Sequence, residues 1–146
     1  MPIDRKEMER ILKEKVLPLL KKNEFKGSFP DLHREEDGFV DLINFQFYSS
    51  GGSFCVNISY ADPKRENIMT YKDTEPKKLR VSQARQRLRL GAENEGSDHW
   101  FCFGPTNYGD IRGEIKLPNA IVDELNKYIE TTAIPWLGEK RKKSVS

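Results

Sequence analysis

The sequence is poor in the residues from which catalytic and metal sites are usually built. Its 146 residues include two histidines, His33 and His99, and two cysteines, Cys55 and Cys102. It contains no Cys-x-x-Cys pair, no Gly-x-Ser-x-Gly elbow, no His-Glu-x-x-His helix and no glycine loop that cradles phosphate. We therefore expect no metal, no cofactor and no catalytic residues, and we predict that the protein is not an enzyme.

The two cysteines stand in apolar surroundings, within residues 54–58 and 100–103. Apolar neighbours raise the pKa of a thiol and make it unreactive, so both are interpreted as small buried side chains. The N-terminus has no apolar leader segment, and no apolar run reaches the ~18 residues of a membrane-spanning helix. The expected location is the reducing cytoplasm, without membrane attachment.

Most of the chain also lacks the charge of one sign that a dedicated nucleic-acid-binding protein carries. The net charge is +2, but residues 138–146 alone hold four basic side chains and one acidic side chain. The remaining residues carry 21 basic and 22 acidic side chains. The length suits one domain, which we predict at 1–138, followed by a basic disordered tail at 139–146.

The sequence does contain a helical pattern near each end. Apolar residues recur at helical spacing over 8–20, with Asp4 as a capping residue and a break expected near Pro18. This helix is expected to end at Asn23, a residue that tolerates the left-handed conformation. A second helix is predicted after Pro118.

Between the helices, apolar and polar residues alternate with the period of β-strands. Strands are predicted at 31–35, 39–48, 53–60, 98–103 and 111–117. Residues 61–78 are interpreted as a long loop, and the pattern at 79–90 fits either a helix or a strand. Because helices and strands are segregated, we predict an α+β fold in which the N-terminal and C-terminal helices pack on a curved antiparallel β-sheet.

Several segments, taken in order, resemble a known family. They are the run Leu-Pro-Leu-Leu-Lys-Lys that begins at 17, residues 42–46 and 54–58, the Arg-Leu-Arg-Leu run at 87–90, Trp100, and Ile-Pro-Trp-Leu at 134–137. The chain resembles the bacterial domain family catalogued as domain of unknown function 4304, although Glu24 and Arg89 stand where that family tends to have glycine. The resemblance implies an α+β domain with a strand at 83–90, and it implies no established activity.

Three arginines occupy alternate positions, Arg85, Arg87 and Arg89. On a strand they would form a stripe along one face, where their like charges repel unless something anionic lies opposite. Acidic groups on neighbouring strands could fill that role. An acidic partner, a phosphate or a nucleic acid is the alternative.

Polar amides stand among the apolar strand residues at Asn44, Gln46 and Asn57. Buried amides are costly unless they are hydrogen-bonded, so they either line a polar concavity or satisfy the backbone. Trp100 and Phe101 should face opposite sides of their strand, which would leave one of them exposed. An exposed aromatic ring beside arginines is typical of an interface hot spot.

Two functions remain compatible with these patterns. The first is a non-catalytic protein-binding module, such as a toxin-neutralising immunity protein. The alternative is a ligand-binding or nucleic-acid-binding domain that uses the arginine-bearing strand. An enzyme ranks third. The predicted binding residues are Asn44, Gln46, Arg85, Arg87, Arg89 and Trp100.

Overall fold

The N-terminal segment folds into two short helices, α1 (Arg5–Lys15) and α2 (Leu17–Lys22), in the computed structural model. The structure describes residues 3–36, 38–49, 51–61, 87–95, 97–106 and 114–145. Asp4 caps α1, because its Oδ1 accepts a hydrogen bond from the backbone N–H of Glu7 at 2.8 Å. The break between the helices confirms the interruption predicted near Pro18, since proline suits the first turn of a helix but not its interior.

The turn after α2 differs in detail from the expectation. Asn23 caps the helix with a φ of −92°, and the left-handed conformation falls instead on Glu24, whose φ is 70°. Glycine adopts this conformation without steric cost. A glycine at the position of Glu24, which the family resemblance led us to expect, would therefore suit this turn.

Within the described residues, six strands form one antiparallel sheet that is not closed. They are β1 (Lys26–Ser28), β2 (Asp31–Glu36), β3 (Phe39–Phe47), β4 (Gly51–Ala61), β5 (Arg87–Arg89) and β6 (Phe101–Thr106). The order is β1-β2-β3-β4-β5, and β6 also pairs with β4. One edge of β4 pairs with β3, while β5 and β6 share its other edge.

The C-terminal segment is helical throughout its described length. Helix α3 (Pro118–Tyr128) runs through a π-helical turn into α4 (Ile134–Val145). The disordered tail predicted from residue 139 is thus helical as far as Val145. One ion pair connects α4 to the rest of the chain: the Lys140 ammonium lies 2.7 Å from a carboxylate oxygen of Glu95.

The helices pack on one face of the sheet, and this confirms the predicted α+β architecture. Within the described residues, the shared core includes side chains from each helix and from four of the strands, among them Leu12, Leu20, Ile43, Phe45, Phe54, Ile58, Phe101, Ile121 and Leu137. Both cysteines are buried, as predicted, and they form no disulfide with each other. Among the described helices, none combines the length and apolar character that crossing a bilayer would need.

The strand predicted at 98–103 begins later, at Phe101. In the register of β6, residue 98 would lie opposite Asn57, which already pairs with β5, and residue 99 would lie opposite Val56, whose carbonyl already accepts from the Leu90 N–H. Strand β6 starts opposite Phe54. Of the strand predicted at 111–117, the described part shows a single parallel bridge from Ile115 to β6.

The ambiguous segment at 79–90 contains a strand at its end, β5, as the family resemblance implied. Residues 62–86 lie outside the described part of the chain, and with them Arg85, the predicted loop after β4 and the first half of the predicted arginine strand.

One ion pair lies inside the helix-covered face. The Arg34 guanidinium donates to Asp41 Oδ2 from Nε at 3.0 Å and from Nη2 at 2.8 Å. Its Nη1 also donates to the carbonyl of Asn23 at 3.1 Å, and the group lies 4.7 Å from the centre of the Phe25 ring. Asp41 is fully buried and Arg34 is 8% exposed. The pair therefore ties β2 and β3 to the turn after α2.

Removing Asp41 should leave the buried Arg34 guanidinium without its two hydrogen bonds to a carboxylate, and with the partly exposed Glu36 carboxylate 3.7 Å from its Nε. We predict that Asp41→Ala lowers the free energy of unfolding by about 3–5 kcal/mol, measured by urea denaturation. The matched control is Glu14→Ala, because Glu14 pairs with Arg10 on the exposed surface of α1. That change should cost less than about 1 kcal/mol. Equal losses in the two variants would contradict the assignment.

Candidate functional site

The face of the sheet opposite the helices carries a group of hydrogen-bonded polar side chains beside buried apolar residues of β3. Four of them lie in register across four strands, because Asp31 pairs with Asn44, Asn44 with Asn57, and Asn57 with Arg89. Residues that pair across antiparallel strands point to the same face. We call these four residues, together with Gln46, the polar row.

Hydrogen bonds join the members of the polar row. The Asn44 amide donates to Asp31 Oδ1 at 2.9 Å. The Asn57 amide nitrogen donates to Asn44 Oδ1 at 3.2 Å and to Gln46 Oε1 at 2.9 Å. The Asn57 Oδ1 accepts a hydrogen bond from Arg89 Nε at 3.2 Å. The row therefore satisfies the central amide while it runs from β2 to β5.

The Arg89 guanidinium is held from several directions. Besides its bond to Asn57, its Nη1 donates to Asp98 Oδ1 at 2.6 Å. The guanidinium carbon lies 5.2 Å from the centre of the Trp100 ring, within the range of a cation–π contact. Arg89 is 9% exposed, whereas the Asp98 side chain is 71% exposed. The side chain is thus fixed next to a carboxylate that remains in contact with water.

Arg87 lies on the same face, because it pairs with Ser59, two residues from Asn57. It is exposed, unlike Arg89. Burial raises the pKa of the Cys55 thiol, and the charges of Arg89 and Arg87 act to lower it. Strand β5 therefore places two guanidinium groups on this face, one buried and one exposed.

The structure brings five of the six predicted binding residues to this face, namely Asn44, Gln46, Arg87, Arg89 and Trp100. The sixth, Arg85, lies outside the described residues. The amides were predicted to line a polar concavity or to satisfy the backbone, and the structure shows instead that they hydrogen-bond to neighbouring side chains. Two aspartates of the site were not predicted from the sequence. Asp31 joins the polar row only through its register with Asn44, and Asp98 contacts Arg89 from a loop, so neither has a local sequence signal.

A cavity of about 320 Å³ lies beside this face, where β6 begins. Its lining includes Asp98, His99, Trp100, Glu114, Lys116 and Glu124. The Lys116 ammonium binds the Glu124 carboxylate of α3, and this contact raises the pKa of Lys116. Among the described residues, no group of three or more potential metal ligands comes together.

His99 packs against apolar rings rather than against an acid. Its imidazole centre lies 4.9 Å from that of Phe101 and 6.4 Å from that of Tyr128. A side-chain carbon built onto Gly91 would lie 2.5 Å from the imidazole, so the ring occupies the space beside this glycine. Burial lowers the pKa of His99, and the nearby Glu124 charge only partly opposes this effect. The neutral imidazole is therefore favoured in the folded protein.

Because the folded chain favours neutral His99, stability should depend on pH. In the unfolded chain His99 has an ordinary pKa of 6.5. The contribution of neutral His99 to the free energy of unfolding is therefore complete above pH 6.5, and it is lost as the pH falls from 6.5 toward the lower pKa of the folded state. We predict that His99→Gln flattens the fall in the urea midpoint between pH 7.5 and pH 5. Wild-type and variant curves that run parallel would contradict the prediction.

Comparisons with known proteins agree with the resemblance seen in the sequence. No curated protein matches the chain significantly, and no solved structure does. The sequence model of one family, described as Domain of unknown function (DUF4304), matches residues 16–139. That span contains the six strands of the described residues and the whole polar row. The chain therefore belongs to the DUF4304 family.

Proposed function

We propose that the protein is a non-catalytic protein-binding module whose polar face takes up an acidic segment of a partner. The observation that carries this proposal is the arrangement at β5, where Arg89 is held by three side chains while Arg87 on the same face is exposed. A fixed cation next to an accessible one is suited to carboxylate recognition, because an arginine fork can bind a carboxylate through two parallel hydrogen bonds.

The energetics of this face favour binding through preorganisation. Ordering a long side chain on association costs free energy, and Arg89 is already ordered by its contacts to Asn57, Asp98 and Trp100. Arginine and tryptophan are also the residue types that most often dominate interface energies. A partner carboxylate at Arg87 would therefore meet a neighbouring guanidinium whose position is set before binding.

The more specific form of this proposal is a toxin-neutralising immunity protein, which acts by covering another protein. Its support is analogy with other small binding domains alone. The alternative, binding of a ligand phosphate or of nucleic acid, uses the same exposed guanidinium. The balance of 21 basic against 22 acidic side chains outside residues 138–146 favours a protein partner over nucleic acid.

A charge reversal at Arg87 tests this proposal. A partner is captured from native extract on the immobilised full chain, purified, and titrated against variants by calorimetry. Arg87→Glu should weaken binding by at least about tenfold, because it replaces an attractive charge with a repulsive one. The matched control is Lys26→Glu, an equal charge reversal on β1 at the opposite edge of the sheet, which should leave the affinity within about twofold of wild type.

Two outcomes would overturn the proposal: no stoichiometric partner in native extract, or equal binding by Arg87→Glu and wild type. Labelled single-stranded and duplex oligonucleotides provide the test of the alternative. Salt-sensitive binding to them that is lost in Arg87→Glu would favour the nucleic-acid function instead.

A further inference from the structure

Two large apolar side chains stand out on the surface near β6. Leu117 is 75% exposed and Ile115 is 38% exposed, and they are the large hydrophobic residues that the described part of the chain leaves exposed. Surface apolar residues usually occur singly and need no explanation. These two occupy alternate positions in one extended segment, so they present a joint apolar surface.

This apolar pair lies on the same face of the sheet as the polar row. Ser53 shares its face with Cys55, which pairs with Gln46 of the polar row, and Ser53 also pairs with Cys102. Cys102 in turn bridges to Ile115. Because paired residues share a face, Ile115 lies on the polar side. Leu117 follows two residues later with an extended backbone, so it is placed on that side as well.

The surface between the arginines and the apolar pair includes an aromatic ring. Trp100 contacts the Arg89 guanidinium and lies 5.9 Å, centre to centre, from the ring of Tyr48. It immediately precedes β6, the strand to which Ile115 is bridged. The face thus passes from cationic groups on β5, through an aromatic residue, to apolar side chains beyond β6.

We propose, on the basis of the function proposed above, that the partner segment is amphipathic: its carboxylates meet Arg87 and its apolar side chains cover Leu117 and Ile115. Charge complementarity selects this occupant. A second copy of the chain, docked through the same patch, would bring the arginine-bearing surface to both sides of the interface. A segment that is only acidic would leave Leu117 in water, and one that is only apolar would leave the exposed guanidinium without a partner.

The test uses a random dodecapeptide library displayed on phage and selected on the immobilised full chain. Peptides selected on wild type should be enriched in both Asp or Glu and large apolar residues. Selection on Leu117→Ser should lose the apolar enrichment and keep the acidic one. Selection on Arg87→Glu should lose the acidic enrichment. Serine is a favoured residue at the helix N-terminus that Leu117 occupies, so this variant is expected to fold.

A wild-type peptide is then resynthesised and titrated by calorimetry. Leu117→Ser should weaken its binding about tenfold and reduce the negative heat-capacity change. The conservative control Leu117→Met should bind within about threefold of wild type.

The two proposals fail in different ways. Acidic peptides without apolar enrichment, or a resynthesised peptide that Leu117→Ser binds as wild type does, would overturn the amphipathic partner and leave the acidic one standing. Apolar peptides without acidic enrichment, or no enrichment over a blank surface, would overturn both.

Discussion

The side-chain amide of Asn57 is the group on which the candidate site depends. It stands in the middle of β4, where it donates to Asn44 and Gln46 and accepts from Arg89. An amide that is 3% exposed would be costly without these bonds, so its burial favours the arrangement that satisfies it. Through this one group, strands from both sides of β4 contribute to a single surface with fixed donors.

The shared edge of β4 explains how loop residues reach this surface. Because β5 occupies the edge beside Asn57, the chain before β6 remains outside the sheet. Asp98 and Trp100 lie in that stretch, and both contact the Arg89 guanidinium. Because β5 and β6 share one edge of β4, the Arg89 guanidinium lies between the Asp98 carboxylate and the Trp100 ring. His99, between these two residues in the sequence, packs instead against the rings of Phe101 and Tyr128.

Two arginine–aspartate pairs in this chain have different physical roles. Arg34 and Asp41 are both buried beneath the helices, so water cannot replace either partner and the pair acts as a structural tie. Arg89 is buried, but its partner Asp98 is 71% exposed on the side chain. Water reaches the Asp98 carboxylate, so this pair should contribute less to the free energy of unfolding than the buried pair does.

Local patterns in the sequence determine the elements, because helix and strand periods depend on neighbouring residues. They placed α1, the break near Pro18, the β3–β4 hairpin and α3, and alternation put Arg87 and Arg89 on one face. Register was decided only by the tertiary structure: Asn57 and Arg89 are 32 residues apart, and alternation defines a face without defining an opposite residue. The start of β6 also depends on the tertiary structure, because β5 and β6 share one edge of β4 only once the chain has folded. The same is true of the contact between Lys140 of α4 and Glu95, which are 45 residues apart in the sequence.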